Sequence, residues 1–440
     1  MAGDAHAESL TQARGAFDVR RFSGNAALVI GAAIIANLCS FVFHFTLSRR
    51  LGPEAYGTLV TLMAIAGMLS VLGQSVGTVA MQETARLWTS HLDAAIGGFV
   101  RQAGGLVASA AVVVILVLVA ASVPLRSYLH VTEPLLWWLL GVYVAMTLFA
   151  GFARGAAQGA HRFWIFAASL VCEGIAKVAI AFAAVAAGYG VAGALGGLIA
   201  GALIAIALVF VPLVISAQSS PQSLRDSVRL GGESLKVLAV TAATSALLFI
   251  DMLFAKHHFS GELAGDFGAA GTVARTLPFA VGLIGLIVMP NAAAARHAGR
   301  EALANVLGSA AMLSALAVLL GAAAIIAFPA QIESITYGPR FAAAASLLRI
   351  YAIDTGLLGL WGIAISYLVA VASYDVFWFL LGAVIVEGTA MAVFGVTPLR
   401  LLSIGIITNA LLLPCVWVLA LRTVRLQPQA GSPPHAEAAT

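Results

Sequence analysis

Twelve long apolar stretches fill almost the whole of this 440-residue chain. A bilayer core about 30 Å thick needs roughly 20 apolar residues per helix, and the stretches have about that length. Hydrophobic residues make up 61% of the chain and charged residues only 10%, against about 25% charged residues in soluble domains. The sequence therefore predicts an all-α polytopic membrane protein with about 12 transmembrane helices, at 23–47, 57–80, 98–123, 134–153, 163–187, 190–215, 233–256, 267–290, 302–328, 342–371, 376–395 and 399–421.

The distribution of positive charge predicts the orientation of these spans. If the N-terminus is cytoplasmic, 14 of the 23 Lys and Arg residues fall in cytoplasmic segments and six on the opposite side. The other three, Lys177, Arg275 and Arg349, lie within spans. Because cytoplasmic loops carry the excess of Lys and Arg, we expect a multi-pass membrane protein with both termini in the cytoplasm.

The longest internal polar stretch divides the spans into six and six. We expect a cytoplasmic N-terminal segment (1–22), a first six-helix bundle (23–217), a cytoplasmic linker (218–232), a second six-helix bundle (233–421) and a disordered cytoplasmic tail (422–440). Six helices per half give both halves one orientation, as in parallel repeats. A shift of 208 residues supports a duplication, since it aligns the polar cluster, Glu and Gly of 48–57 with those of 256–265.

Glycines at four-residue spacing predict close helix contacts. Gly73 pairs with Gly77 in this way, and the same spacing recurs at 151, 155 and 159 and at 193, 197 and 201. Small residues at this spacing let membrane helices approach closely, and we expect these ridges to pack helices within a bundle.

Motifs for soluble catalysis are missing or lie in the wrong context. The sequence contains no G-x-x-x-x-G-K-[ST] or H-E-x-x-H pattern. The G-x-S-x-G match at 73–77 lies inside a predicted membrane span, and the G-x-G-x-x-G match at 188–193 joins two spans instead of a strand and a helix. Cys39, Cys172 and Cys415 lie in spans without metal-ligand spacing. We expect a protein that is not an enzyme, with no cofactor, no metal site and no nucleic-acid partner.

Four short segments carry a family resemblance. Residues 47–57 read LSRRLGPEAYG, 154–163 read RGAAQGAHRF, 188–194 read GYGVAGA and 366–370 read SYLVA. Their order and spacing resemble polysaccharide biosynthesis flippases of the multidrug/oligosaccharidyl-lipid/polysaccharide exporter superfamily. The chain departs from that pattern at Ser366, where Asn is common, and it has 12 predicted spans where some members have 14.

The resemblance implies a fold, a mechanism and partners. Members have two six-helix bundles that form a V around a central cavity and alternate between inward-open and outward-open states. Many flip an undecaprenyl-pyrophosphate-linked sugar across the cytoplasmic membrane, so the resemblance implies a location in the inner (cytoplasmic) membrane. The implied partners are a polyprenyl-pyrophosphate-linked glycan, membrane lipids, and the glycosyltransferases and polymerase of the same pathway.

Charged and polar residues within spans are expensive in a bilayer and are therefore candidates for function. We expect substrate-binding or cavity-lining roles for one set: Arg275, Asn37, His44, Lys177, Glu173 and Arg349. A carboxylate set in the second half is the candidate for Na⁺ or H⁺ coupling: Asp251, Asp354 and Glu387. His257 and His258, at the end of the seventh span, are expected to be interfacial.

Structural alternatives stay open for these charges. Glu173 and Lys177 are four residues apart in the favourable order for an ion pair on one helix. Arg275 suits bidentate contact with phosphate, but it would equally serve as the internal partner of Asp251 or Asp354. The three acids would likewise be neutralised by Arg275 and Arg349.

Four functions compete at this stage. The leading one is flipping of a lipid-linked oligosaccharide or export of a polysaccharide precursor by alternating access. A multidrug cation antiporter of the same superfamily is the first alternative, although the first span lacks an acid. A major facilitator would need a G-x-x-x-D-R-type loop where 83–88 read ETARLW. A membrane-embedded glycan polymerase or ligase would need a large external loop.

Overall fold

The computed structural model describes residues 19–89, 93–215, 232–341 and 343–426. Three predicted segments lie largely outside this described part: 1–18 of the N-terminal segment, 218–231 of the linker, and 427–440 of the tail that we expect to be disordered. The described residues form helices joined by short turns. Helices suit a chain this apolar, because they satisfy every backbone hydrogen bond within one segment of a bilayer.

The helices follow the predicted spans closely. Eleven of them are long and apolar enough to cross a membrane, by length and composition, within the described part of the chain. In chain order the helices are α1 (Val19–Thr89), α2 (Asp93–Tyr128), α3 (Pro134–Gly159), α4 (Phe163–Ala186), α5 (Gly190–Ile215), α6 (Gly232–His258), α7 (Gly261–Ala274), α8 (Thr276–Ala298), α9 (Arg300–Ala327), α10 (Pro329–Thr336), α11 (Ala344–Ala370), α12 (Val376–Phe394) and α13 (Pro398–Leu426).

Helix α1 contains the first two predicted spans and bends between them. It runs for 71 residues, and Gly52 within it has φ 78° and ψ 173°. Glycine adopts this left-handed φ without a Cβ clash, and Pro53 removes a backbone donor at the same place. The polar segment that we expected to be a loop is therefore a kink, with a first arm at 19–51 and a second arm at 53–89.

The eighth predicted span shows the opposite difference, since one predicted span corresponds to two helices. It is divided into α7 and α8, which meet at Arg275. Arg275 itself has helical φ and ψ of −65° and −8°, so the break is slight. The short helix α10, between the ninth and tenth spans, is an element that the sequence did not predict.

Glycine contacts confirm the predicted close packing within the first bundle. A Cβ on Gly73 would lie 2.8 Å from the Thr147 carbonyl oxygen, and one on Gly77 would meet Gly151 of α3. A Cβ on Gly201 would lie 2.9 Å from the Glu173 carbonyl oxygen, which joins α5 to α4. Any larger side chain at these positions would separate the helices.

Buried apolar residues form three clusters, and their positions define the shape of the molecule. One cluster takes residues from both bundles around the turns near 50, 130, 188, 259, 330 and 396. A second cluster lies wholly in the second bundle, at the other ends of its helices, between 240 and 424. A third lies wholly in the first bundle, between 80 and 213. The bundles therefore share a core at one end and have separate cores at the other.

We call the shared end the closed end and the other the open end. At the closed end the backbones of the two bundles touch, since a Cβ on Gly57 would lie 2.8 Å from the Gly265 nitrogen. The turns of the closed end are those that the charge distribution predicts to be external. The result is a V-shaped pair of six-helix bundles with a cleft between them, which confirms the predicted fold class.

Candidate functional site

The cleft begins where the second arm of α1 loses contact with the second bundle. A Cβ added to Gly268 of the second bundle would lie 3.4 Å from the Val60 Cβ. Further along the second arm, Gly67 lies against the Phe249 ring of the second bundle. Two turns further along the same helix face, Gln74 is exposed, and so is Thr78. The central cleft thus opens beyond Gly67, with the polar groups of the two bundles on either side of it.

The first-bundle polar set consists of Arg154, Ser169, Glu173, Lys177 and Ser40. Arg154 of α3 donates to the Glu173 carboxylate of α4 and, at 3.1 Å, to the Ser169 hydroxyl. The Arg154 and Glu173 side chains are 18% and 20% exposed. Lys177 Nζ donates to the Ser40 hydroxyl on the first arm of α1 at 2.6 Å. This half-buried set has one more positive than negative charge.

The expected ion pair between Glu173 and Lys177 is therefore wrong. Arg154, one residue past the predicted span 134–153, lies within α3 and pairs with the Glu173 carboxylate instead. The planar guanidinium presents donors on separate nitrogens, so Arg154 reaches the Glu173 carboxylate together with the hydroxyl and the carbonyl of Ser169. Lys177 donates to a neutral hydroxyl, and the Glu173 carboxylate one turn away attracts it through space without a direct ion pair.

The remaining first-bundle candidates lie on the first arm of α1. His44 Nδ1 is 2.9 Å from the Tyr56 hydroxyl, which in turn donates to the Tyr337 hydroxyl of the second bundle at 3.3 Å. His44 thus belongs to the contact between bundles at the closed end. Asn37 is exposed two turns nearer the open end.

The second-bundle acid network is centred on Arg275, which is 3% exposed. Its Nη2 donates to Asp251 Oδ1 at 2.6 Å and to the Tyr351 hydroxyl at 2.9 Å, and its Nε donates to the Leu248 carbonyl at 2.8 Å. The Tyr351 hydroxyl donates to the second Asp251 oxygen. Of the two roles left open for Arg275, pairing with Asp251 is the one present in this conformation.

Two further acids extend this network. Asp354 is 8% exposed and accepts from the Asn409 amide at 2.8 Å, while the Asn409 oxygen accepts from Trp361 Nε1 at 2.9 Å. Glu387 is 2% exposed, and its Oε2 has no hydrogen-bond partner among the described residues. A buried carboxyl oxygen without a partner is costly as an anion, so this group is suited to carrying a proton or meeting a cation.

Arg349 does not join the acids. It is exposed, and the ion pairs within the described ranges are Arg86 with Glu83, Arg154 with Glu173, and Arg275 with Asp251. The expectation that Arg349 neutralises an acid of the second bundle is therefore wrong. Three acids share one arginine, which leaves the network with a surplus of carboxyl groups.

Contacts across the closed end hold the bundles together. Lys256 Nζ donates to the Thr58 hydroxyl at 3.0 Å, and the His257 ring stacks on Tyr128 with centroids 3.8 Å apart. Arg49 donates to the Ile335 carbonyl at 2.6 Å, at the end of α10. His257 lies in a contact between bundles, which goes beyond the interfacial position that we expected.

Sequence reasoning missed several neutral members of the site. Tyr351 and Asn409 donate to the acids, and Trp361 donates to Asn409, yet nothing in their local sequence separates them from ordinary core residues. Gln74 and Thr78 carried a signal that was not used: they are uncharged polar residues at four-residue spacing within an apolar span.

Comparison with known proteins gives a family and a fold. The model of the polysaccharide biosynthesis protein family matches residues 23–293. No curated protein matches the sequence. Among solved structures, an inward-facing multidrug resistance MATE family transporter of the MOP superfamily is similar, with 15% identity, a TM-score of 0.72, and 89% of this chain and 94% of that chain covered.

Two other solved structures show the same likeness. The lipid II flippase MurJ, in an inward closed conformation, has 12% identity and a TM-score of 0.65, with 90% of this chain and 87% of that chain covered. An outward-facing MATE transporter of the MOP superfamily has 16% identity and a TM-score of 0.58, with 91% and 94% covered. At these identities the likeness establishes the fold alone.

Proposed function

Since the chain belongs to the polysaccharide biosynthesis protein family, we propose that it flips a lipid-linked oligosaccharide, or exports a polysaccharide precursor, across the cytoplasmic membrane. The observation that carries this proposal is the cleft between two bundles that share a core at one end only. Such a cleft can admit a large amphipathic molecule from one side and, after the bundles rock, release it on the other.

The charge distribution supports an orientation for this cycle. If the Lys- and Arg-rich segments are cytoplasmic, the closed end is external and the cleft opens to the cytoplasm. The conformation is then inward-open, and both termini are cytoplasmic. Precursors that are assembled in the cytoplasm would enter the cleft in this state.

Lys177 is our candidate for the first contact with the anionic head group. It is half-buried, it donates to a neutral hydroxyl, and it lies beside the compensated pair of Arg154 and Glu173. A polyprenyl pyrophosphate brings several anionic oxygens that an ammonium group can bind. We retain Asn37 and Arg349 as cavity-lining candidates because both are exposed. Arg275 is fully engaged within the second bundle in this state.

The second-bundle acid network is our candidate for coupling to Na⁺ or H⁺. It contains three carboxyl groups, one arginine and an unpartnered Glu387 oxygen. Oxygen ligands suit Na⁺, and burial suits a carboxyl group that binds a proton. Binding there would change the charge of a network whose residues lie on α6, at the junction of α7 and α8, and on α11, α12 and α13, and so could bias the position of the second bundle.

Deletion of the gene tests the proposed function. We expect the deletion strain to accumulate a lipid-linked saccharide inside the cell and to lose a surface or secreted polysaccharide, and we expect the intact gene to restore both. Normal surface polysaccharide together with increased drug sensitivity would indicate the multidrug antiporter instead. The fold does not decide between them, because the similar structures include both MATE transporters and a lipid II flippase.

The proposed partners follow from the same function. A lipid-linked glycan that enters the cleft must be made by glycosyltransferases on the cytoplasmic side, and the product must be consumed by a polymerase or ligase on the other. Co-purification of such enzymes from native membranes would support the assignment.

A further inference from the structure

A stripe of uncharged polar residues runs along the second arm of α1. Ser70, Gln74, Thr78 and Gln82 follow one another at four-residue spacing, which places them on one face of the helix. We call these four residues the polar stripe. Gln74, Thr78 and Gln82 are exposed, and Ser70 is half-buried. No part of the proposed function yet uses them.

The stripe faces the cleft. Gly67, one turn before Ser70, lies against Phe249 of the second bundle. Gln74 and Thr78 follow Gly67 by seven and eleven residues, so at 3.6 residues per turn all three point in nearly the same direction. The glycines that pack this arm on α3, Gly73 and Gly77, lie on a different face. The exposure of the stripe therefore results from the divergence of the two bundles.

The stripe has unused hydrogen-bonding capacity. Thr78 donates to the Gln74 carbonyl at 2.9 Å, and Ser70 donates to the Gly67 carbonyl at 2.7 Å. Within the described residues, the side chain of Gln74 makes one contact, to the Ser70 hydroxyl at 3.4 Å. A glutamine amide offers two donors and two acceptor sites, so most of this capacity is free for a ligand.

The equivalent helix face of the second bundle is apolar, and the repeat relation between the bundles puts it on the other side of the cleft. The 208-residue shift between the halves places Gln74, Thr78 and Gln82 on Gly282, Leu286 and Pro290 of α8. All three α8 positions are exposed. The two walls are thus equivalent in the repeat but opposite in polarity, which suits a molecule with a hydroxyl-rich part and a hydrocarbon part.

We propose that the polar stripe is a saccharide-binding subsite, in which Gln74 and Thr78 hydrogen-bond the hydroxyl groups of the first sugars of the substrate. The apolar α8 wall faces the polyprenyl chain of the same molecule. Neutral amide and hydroxyl groups suit neutral sugar hydroxyls, whereas the pyrophosphate needs the cation of Lys177. The inference rests on the proposed function and adds to it the residues that recognise the glycan.

The test compares ligands with and without sugar. Purified protein in nanodiscs would be titrated with undecaprenyl pyrophosphate, with the same lipid carrying a disaccharide, and with the free disaccharide. We expect the wild type to bind the disaccharide form at least about tenfold more tightly than the bare lipid, since each neutral hydrogen bond contributes roughly a few-fold in affinity. The free disaccharide should compete only at much higher concentration.

Variants of the stripe should remove this preference and nothing else. The double variant Gln74→Leu with Thr78→Val should bind both lipids with the affinity of the wild type for the bare lipid. Each single variant should lose part of the preference, whereas Thr78→Ser should keep it. Thr389→Val is the matched control, because Thr389 is also exposed and also donates to the carbonyl four residues earlier, on α12. It should behave as the wild type. The melting temperature of each variant would verify folding.

The outcomes separate this inference from the proposed function. Stripe variants that keep the preference for the disaccharide form would overturn the subsite, and so would a wild type that binds both lipids equally; in either case the flippase proposal survives. A wild type that binds neither lipid would overturn both.

Discussion

In the first bundle, the pair of Arg154 and Glu173 keeps about a fifth of each side chain exposed, whereas Arg275 and Asp251 in the second bundle are 4% and 8% exposed. The two sets also differ in sign. The first has a surplus of positive charge through Lys177, and the second has a surplus of carboxyl groups through Asp354 and Glu387. One duplicated architecture has thus acquired a cationic, accessible set on one side of the cleft and an acidic, enclosed set on the other.

This difference indicates a division of roles. An accessible cation with a weak neutral partner can exchange that partner for an anionic ligand at little cost. An enclosed network cannot do so, because removing one member leaves an uncompensated charge away from water. We therefore assign ligand contact to the first bundle and a combined structural and coupling role to the second.

The largest expected effect is that of Arg275→Ala on the amount of folded protein. The change leaves Asp251 buried without its partner, and breaking a buried pair in this way costs about 3–5 kcal/mol. The double change Arg275→Ala with Asp251→Ala should restore much of the folded protein, measured by size-exclusion chromatography of membrane extracts. If Arg275→Ala folds normally and loses only transport, the second bundle contacts ligand after all.

Lys177→Ala should have the opposite signature. We expect a near-normal amount of folded protein, since Lys177 donates only to the Ser40 hydroxyl in the described structure, and about a tenfold loss of transport, equivalent to about 1.4 kcal/mol. Lys177→Arg, which keeps the charge, should retain most of the transport. A Lys177→Ala variant that fails to fold would place this lysine with the structural charges and weaken the comparison.

Glu387→Gln should separate coupling from folding. Glutamine has the shape of a protonated glutamate, so stability should change by about 1 kcal/mol or less. Transport in proteoliposomes should stop responding to an imposed Na⁺ or H⁺ gradient. Thr389→Ala, two residues further along α12, is the control and should keep the response. A fully retained response in Glu387→Gln would exclude this carboxyl group from coupling.

The smallest effect concerns pH and the closed end. Burial, with a further contribution from the Asp266 carboxylate, raises the pKa of Glu333 on α10 to about 7. The native state then binds more protons than the unfolded state between about pH 4.5 and 7, so this group lowers stability as pH rises through that window. Glu333→Gln should melt about 2 °C higher than the wild type at pH 8 and equally at pH 5. A Glu333→Gln variant that melts at the same temperature as the wild type at pH 8 as well as at pH 5 would contradict this.

Much of the fold was readable from the sequence, because apolar length alone determines where a helix can span a bilayer. The kink at Gly52 and the break at Arg275 were not, since each depends on how the bundles meet. The charges inside the predicted spans were identifiable, but Arg154, one residue past a predicted span, was not, and neither were the partners of these charges. Glu173 has a favourable partner on its own helix and yet pairs with Arg154, because a guanidinium from α3 makes more contacts than an ammonium from α4.

The remaining errors have a similar origin. Arg349 was grouped with the acids because it shares α11 with Asp354, but a residue five positions away lies on another helix face. The stripe of Gln74 and Thr78 was missed because uncharged residues were given less weight than charged ones. In a cleft that receives a glycan, neutral hydrogen-bonding groups are as informative as charges.

The central claim, that the closed end must open during transport, is most directly tested by a reversible crosslink. Glu54 of the first bundle and Gly261 of the second meet at the closed end, where a Cβ on Gly261 would lie 2.6 Å from Glu54 Cγ. In a background with Cys39, Cys172 and Cys415 replaced by Ala, the pair Glu54→Cys and Gly261→Cys should form a disulfide. The pair Thr78→Cys and Leu286→Cys, across the cleft, is the control and should not crosslink in this state. We predict that the closed-end disulfide stops transport of the lipid-linked saccharide and that reduction restores it. Transport at the wild-type rate with the disulfide intact would contradict the account.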